Sequence, residues 1–165
     1  MNVLVVCEGN TDATLLGFYL ERKRDVEFKP KSKKSFFNIN LDSYQKQINL
    51  ATNDVSIEII SVGGKAKIKK FLEEVKEYLI NIRNENGLID KLVVIVDRDD
   101  DTEESIRNLL GPFRTQKVNQ WEEISLNNVL FGELKIKTLL LCVPPDKPGA
   151  LERFLIDSLK KMKVV

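Results

Sequence analysis

Four short stretches of the chain are strongly apolar: Val3–Cys7, Val55–Val62, Leu92–Val96 and Ile136–Val143. The uninterrupted run Leu92–Val96 reads as a strand buried on both faces, as in a parallel sheet, while Val55–Val62 alternates into another core strand. Between and after them the apolar spacing changes to that of helices. Ala13–Lys23 is helix-like. Ala66–Ile82 places Ile68, Phe71, Leu72, Val75, Tyr78 and Leu79 on one face, and Thr102–Leu110 is a short helix closed by Gly111-Pro112. Ala150–Met162 carries a stripe of Leu151, Phe154, Leu155 and Leu159, with Glu152 and Asp157 off it. Strand alternating with helix predicts an α/β domain: a mainly parallel central sheet of four core strands with helices on both faces. Two stretches fit less well. Residues 25–53 are polar and lysine-rich, and 113–133 reads as irregular, with Trp121 covering a sheet edge.

The bulk numbers narrow the chemistry. At 165 residues the chain is most simply one domain, long enough to bury a core, and 42% hydrophobic with 31% charged residues describes a soluble globular protein. A net charge of +1 builds in no global attraction to nucleic acid, so such binding requires a local basic patch. The absence of histidine excludes histidine acid–base catalysis, Ser-His triads and His-ligated zinc. Cys7 and Cys142 each sit in an apolar strand, as buried thiols of a reducing compartment do. The amino terminus lacks the features of a signal peptide, and no apolar stretch approaches membrane-spanning length. The expected location is cytoplasmic.

Candidate chemistry gathers where apolar runs end. After Leu92–Val96 come Asp97-Arg98-Asp99-Asp100-Asp101, four carboxylates over five positions. Like charges packed so tightly are costly unless something positive neutralises them, and hard divalent cations such as Mg²⁺ prefer carboxylate oxygens. Open α/β sheets place their ligands at the carboxyl ends of their strands, where Asp97 falls. Glu8-Gly9-Asn10-Thr11-Asp12 follows the first strand, with Asn10 or Thr11 able to cap the next helix and Asp12 suited to its positive end. Gly63-Gly64-Lys65 follows the second strand. It is not a P-loop, because Lys65 precedes Ala66 and position 59 is Ile, but a glycine pair at a helix start can bring N–H groups to a phosphate with Lys65 reaching toward it. The basic stretch 29–34 with Phe36-Phe37 reads either as a solvated loop anchored by its phenylalanines or as a loop contacting phosphates and bases.

Taken together, Glu8-Gly9-Asn10-Thr11-Asp12, Gly63-Gly64-Lys65, Asp97-Arg98-Asp99 and Leu151-Glu152 resemble the motifs of the Toprim superfamily, the catalytic domain shared by topoisomerases, bacterial primases and OLD-type nucleases. The match is nearest to the OLD-like branch and small stand-alone archaeal Toprim proteins. It spans most of the chain, with 25–53 and 113–133 as less typical insertions. The resemblance implies a Toprim-like, Rossmann-like three-layer sandwich and Mg²⁺-dependent phosphodiester chemistry on DNA or RNA, with Mn²⁺ able to substitute. It assigns Glu8 as general acid/base and metal ligand and Asp97 and Asp99 as principal metal ligands. Asp101, Asp12 and Glu152 become auxiliary metal-binding acids, while Gly63, Gly64 and Lys65 keep the phosphate contact read from their place at a helix start. A topoisomerase tyrosine gate, a primase template domain and an ATPase motif are all missing from these 165 residues. The implied roles are therefore a small nuclease, the catalytic subunit of a complex whose protein partner supplies substrate binding, or a non-catalytic metal-binding scaffold.

Three other acidic sites fit less well. Asp97, Asp99 and Asp101 have EF-hand spacing, but Thr102 stands where that loop needs glycine, Asn108 where it needs glutamate, and a strand precedes. A dehalogenase-type phosphatase carries its Asp-x-Asp on the first strand. A phosphoacceptor receiver has an acid after the first strand, an aspartate after a middle one and a Lys-Pro like Lys147-Pro148, but expects paired acids where Glu8 stands beside Gly9.

Overall fold

The computed structural model describes residues 1–24, 27–28 and 46–145. The basic stretch 29–34, the turn after Pro145, the helix predicted over 150–162 and Glu152 lie outside these residues. The elements in chain order are β1 (Asn2–Cys7), α1 (Asn10–Arg24), β2 (Glu27–Phe28), β3 (Lys46–Ala51), β4 (Ser56–Ser61), α2 (Lys65–Asn81), β5 (Lys91–Asp97), α3 (Glu103–Asn108), β6 (Trp121–Asn128) and β7 (Gly132–Val143). The strands form one seven-stranded sheet in the order β2-β3-β4-β1-β5-β7-β6.

The four strands expected from the apolar runs are the parallel centre, β4-β1-β5-β7. Their alternating side chains feed two separate cores. Leu4, Val6, Ile60, Leu92, Val94 and Val96 pack on one face with Ile68, Phe71, Leu72 and Val75 of α2 and with Ile106, Leu110 and Phe113. Val5, Cys7 and Ile59 pack on the other face with Ile48 and Leu50 of β3 and with Ala13, Leu16 and Leu20 of α1. The molecule is therefore layered helix–sheet–helix, an α/β fold with a mainly parallel sheet. Gly17 allows α1 its close seat: a Cβ there would stand 3.3 Å from Ile48 Cδ1.

The two stretches that looked irregular supply the sheet's antiparallel margins. Residues 46–51, within the polar 25–53 region, form β3 against β4. The larger correction is β6: 121–128 is an eight-residue edge strand in a hairpin with β7. Its inward side chains alternate as Glu122, Ile124, Leu126 and Asn128. Two of those four are polar, which hides the period-two pattern. Both are satisfied by backbone. Glu122 accepts from the N–H groups of Gln116 and Lys117. Asn128 donates to the carbonyls of Leu79 and Ile82 and accepts from the N–H groups of Leu130 and Phe131, pinning the hairpin to the end of α2. Trp121 covers no edge; it opens the edge strand and is half exposed.

A candidate acidic site at the sheet's switch point

From β1 the chain crosses to β4 on one side and then, through α2, to β5 on the other. Open α/β sheets bind ligands at the carboxyl ends of the strands beside such a reversal, here β4, β1 and β5. Cys7 of β1 is level with Ser61 of β4 and Ile95 of β5, so Glu8, Gly63 and Asp97 emerge side by side.

The turn after β1 is built around two uses of the Glu8–Asp12 segment. α1 starts at Asn10, earlier than its apolar spacing indicated, with Gly9 as the residue before the first turn. The Asp12 carboxylate accepts a 3.0 Å bond from the Gly9 N–H, half of a capping box. Asn10 and Thr11 thus lie inside the helix, and Asn10 bonds through its side chain to the Ser61 hydroxyl. Asp12 is buried, and its charge adds to burial in pushing the Cys7 thiol up to about 12, which leaves that cysteine inert. Its visible work is holding the start of α1.

The glycine pair has an unexpected occupation. The N–H groups of Gly63 and Gly64 donate to the Glu8 carbonyl at 3.0 and 2.9 Å. They dock the β4–α2 turn onto the β1–α1 turn, so their donors serve the scaffold and not an anion. Gly64 adopts φ 128°, a conformation other residues rarely take, and this delivers Lys65 as the first residue of α2.

Lys65 is the hub of the site. Its Nζ lies 2.7 Å from Asp99 Oδ2 and 2.7 Å from Asp101 Oδ2. Burial of the ammonium works to lower its pKa, but the hydrogen bonds to Asp101 and Asp99, joined by the charges of Glu8 and Asp99, outweigh burial and raise it. Lys65 is therefore a fixed cation that neutralises the two later aspartates. Arg98, although it sits between Asp97 and Asp99, turns away. Its guanidinium donates to the carbonyls of Pro144 and Pro145, and its N–H to that of Val143, tying the end of β5 to that of β7. Asp99 has φ 47°, the left-handed region that aspartate tolerates better than most side chains. That turn, closed by the Asp101 N–H on the Arg98 carbonyl, accompanies the ion pairs of both carboxylates with Lys65.

Glu8 is half-buried. Desolvation raises its pKa most; Lys65 opposes this, Asp97 adds to it, a bond from the Asp97 backbone N–H lowers it, and Asp99 raises it again. Its Oε2 is buried and has no hydrogen-bond partner. A carboxylate oxygen in that condition is costly to leave unpaired and indicates a missing proton or cation.

The structure thus brings Glu8, Asp97, Asp99, Asp101 and Lys65 to one end of the sheet, while Asp12 holds its own helix start and Glu152 lies outside the described residues. All the acids are hard oxygen donors, and the orphaned Glu8 oxygen fits a divalent cation. Against this, no group of three acids among the described residues stands in an arrangement that could hold a metal ion, and Lys65 occupies the space between Asp99 and Asp101. The counter-ion role of Lys65 was not legible from sequence, since 34 and 36 positions separate it from its partners.

No family model and no curated protein matches the chain. Among solved structures, it is similar to the crystal structure of a hypothetical protein from Pyrococcus horikoshii OT3, at 20% identity and a TM-score of 0.65, over 97% of this chain and 67% of that one. That likeness supports the α/β fold.

Proposed function

We propose that the chain is a Toprim-like domain performing Mg²⁺-dependent phosphodiester chemistry on nucleic acid, hydrolysis in preference to ligation. The observation that carries this reading is the half-buried Glu8 carboxylate, with one oxygen unpaired, beside Asp97 and Asp99 at the switch point of a parallel sheet. Glu8, Asp97 and Asp99 would hold Mg²⁺ or Mn²⁺, with Asp101, Asp12 and Glu152 as auxiliaries; the ion would supply charge neutralisation of the non-bridging oxygens and a more acidic attacking water. The remaining work belongs to the chain. Glu8, its affinity for protons raised by burial, takes the proton of the attacking water. Lys65 is the phosphate contact: it is the fixed cation nearest these acids, and the engagement of the Gly63 and Gly64 N–H groups leaves that task to it. Two buried free thiols accord with a cytoplasmic setting, and no helix among the described residues is long and apolar enough to cross a membrane.

One observation favours a second reading, a non-catalytic metal-binding scaffold or partner subunit. Lys65 already supplies the positive charge that Asp99 and Asp101 need. Cleavage of labelled single- and double-stranded DNA and RNA in Mg²⁺ and Mn²⁺, with Glu8→Gln and Asp97→Asn alongside, separates the two. Cleavage lost in both variants supports the enzyme and names its substrate. Metal binding that needs Asp97 without cleavage of any substrate supports the scaffold.

A further inference from the structure

The opposite end of the sheet carries a different surface. Lys91 opens β5, Trp121 opens β6, and Lys137 lies on β7 as the direct partner of Lys91. Together with Glu122 and Glu123 they line a shallow cleft of about 420 Å³, within the range of small-ligand sites. Trp121 is half exposed, with Lys91 Nζ 5.7 Å from its ring centre. Neither Lys91 nor Lys137 has an ion-pair partner among the described residues, although like charges on adjacent strands repel. The two acids are already engaged. Glu122 accepts three backbone bonds from Gln116 and Lys117, and Glu123 pairs with Lys135 at 3.4 Å. Lys91 stands over the Trp121 ring and Lys137 faces Glu123 across the β6–β7 pair, so the cleft offers an aromatic surface beside two ammonium groups that make no ion pair among the described residues.

We propose that this cleft docks single-stranded nucleic acid, one base stacking on Trp121 and adjacent phosphates held by Lys91 and Lys137. An exposed aromatic beside lysines is the combination that unpaired bases and their backbone require, whereas duplex bases present no free face to it. The ligand class rests on the nucleic-acid reading above, but the affinity does not depend on the acidic end. Lys91 lies six residues before Asp97 on β5, and Val93, level with Trp121, lies four before it, which separates the cleft from the acids by about 13–20 Å along the strand. The site thus holds substrate at a distance from the chemistry.

Trp121 is the only tryptophan, so its fluorescence reports on this cleft alone. The test is titration of the full chain in EDTA with short oligo(dT) and oligo(rU), and with duplex DNA as control. Saturable quenching is expected with a single strand and little with duplex. Lys91→Ala and Lys137→Ala should each weaken binding several-fold and flatten its salt dependence. Trp121→Ala, followed by anisotropy of a labelled strand, should weaken it about tenfold. No quenching, equal binding of duplex, or unchanged affinity in both lysine variants overturns the proposal. Quenching that needs the lysines, in a protein that cleaves nothing with Mg²⁺, keeps the docking site and removes the nuclease reading. Cleavage with unaltered tryptophan fluorescence does the reverse.

Discussion

Strand β5 begins at Lys91, beside a half-exposed tryptophan and a second lysine, and ends at Asp97, beside a half-buried glutamate and two aspartates bridged by Lys65. The same buried strand carries both, but the ends differ in how their charge is handled. At the carboxyl end, turns from β1, β4 and β5 converge, and a fixed ammonium is built in to hold the acids together. At the amino end the cations stand on flat sheet, Lys91 over the Trp121 ring and Lys137 across from Glu123, with no ion pair among the described residues. The difference teaches where each kind of chemistry belongs. Convergent loops can surround a reacting group, whereas an open sheet margin can only offer a stacking surface and loosely placed charge.

Removing Asp97 should have the largest effect. Asp97→Asn is expected to abolish metal-dependent cleavage, a loss of at least about a hundredfold, while oligonucleotide binding at Trp121 is unchanged. In metal-free buffer this variant should be no less stable than wild type, because it relieves repulsion with Glu8. A clearly lower Tm for the metal-free variant would break the picture of a strained acidic end. Asn128→Ala acts on the other end. Losing four bonds to the backbone of α2 and the hairpin turn should cost about 2–3 kcal/mol in denaturant unfolding and loosen the strand that carries Trp121.

Lys65→Met sharpens the comparison from the middle of the acidic site. It should cost about 1–2 kcal/mol in metal-free protein, since both partner aspartates are partly exposed. The folded-state pKa of Lys65 is raised, so its contribution is complete below its ordinary value of 10.5 and is lost only as pH rises through the folded value. The cost measured between pH 6 and 9 should therefore be flat. The smallest expected effect on stability is that of Glu8→Gln. A carboxyl whose folded pKa is raised favours folding below its ordinary value of 4.5 and opposes it above the folded value. The glutamine variant should melt slightly higher than metal-free wild type at pH 7, and the gain should vanish as pH falls below about 4.5. A gain that persists in acid would mean that the Glu8 charge is not the cause.

The parallel centre of the sheet and the helix α2 could be read directly from the sequence, because burial on both faces of a strand, or on one face of a helix, writes itself as an apolar run or stripe. Strands β3 and β6 could not. At sheet margins half the positions face water, and Glu122 and Asn128, which face inward, are polar because they satisfy backbone groups of neighbouring loops. The same division holds for the acidic site. Glu8 and Asp97 were visible at the ends of apolar strands, where the fold class places ligands. The bridging of Asp99 and Asp101 by Lys65, the docking of both glycine N–H groups on the Glu8 carbonyl and the retreat of Asp12 to a helix cap are tertiary facts with no local signature.

The account rests on whether the acids around Glu8 take up a divalent cation although Lys65 stands among them. Titration of Mn²⁺ into the full chain, with free ion followed by electron paramagnetic resonance, answers this most directly. Saturable uptake by wild type, displaced by Mg²⁺ and lost in Asp97→Asn, is the predicted result. No uptake, or uptake that survives Asp97→Asn unchanged, would contradict it.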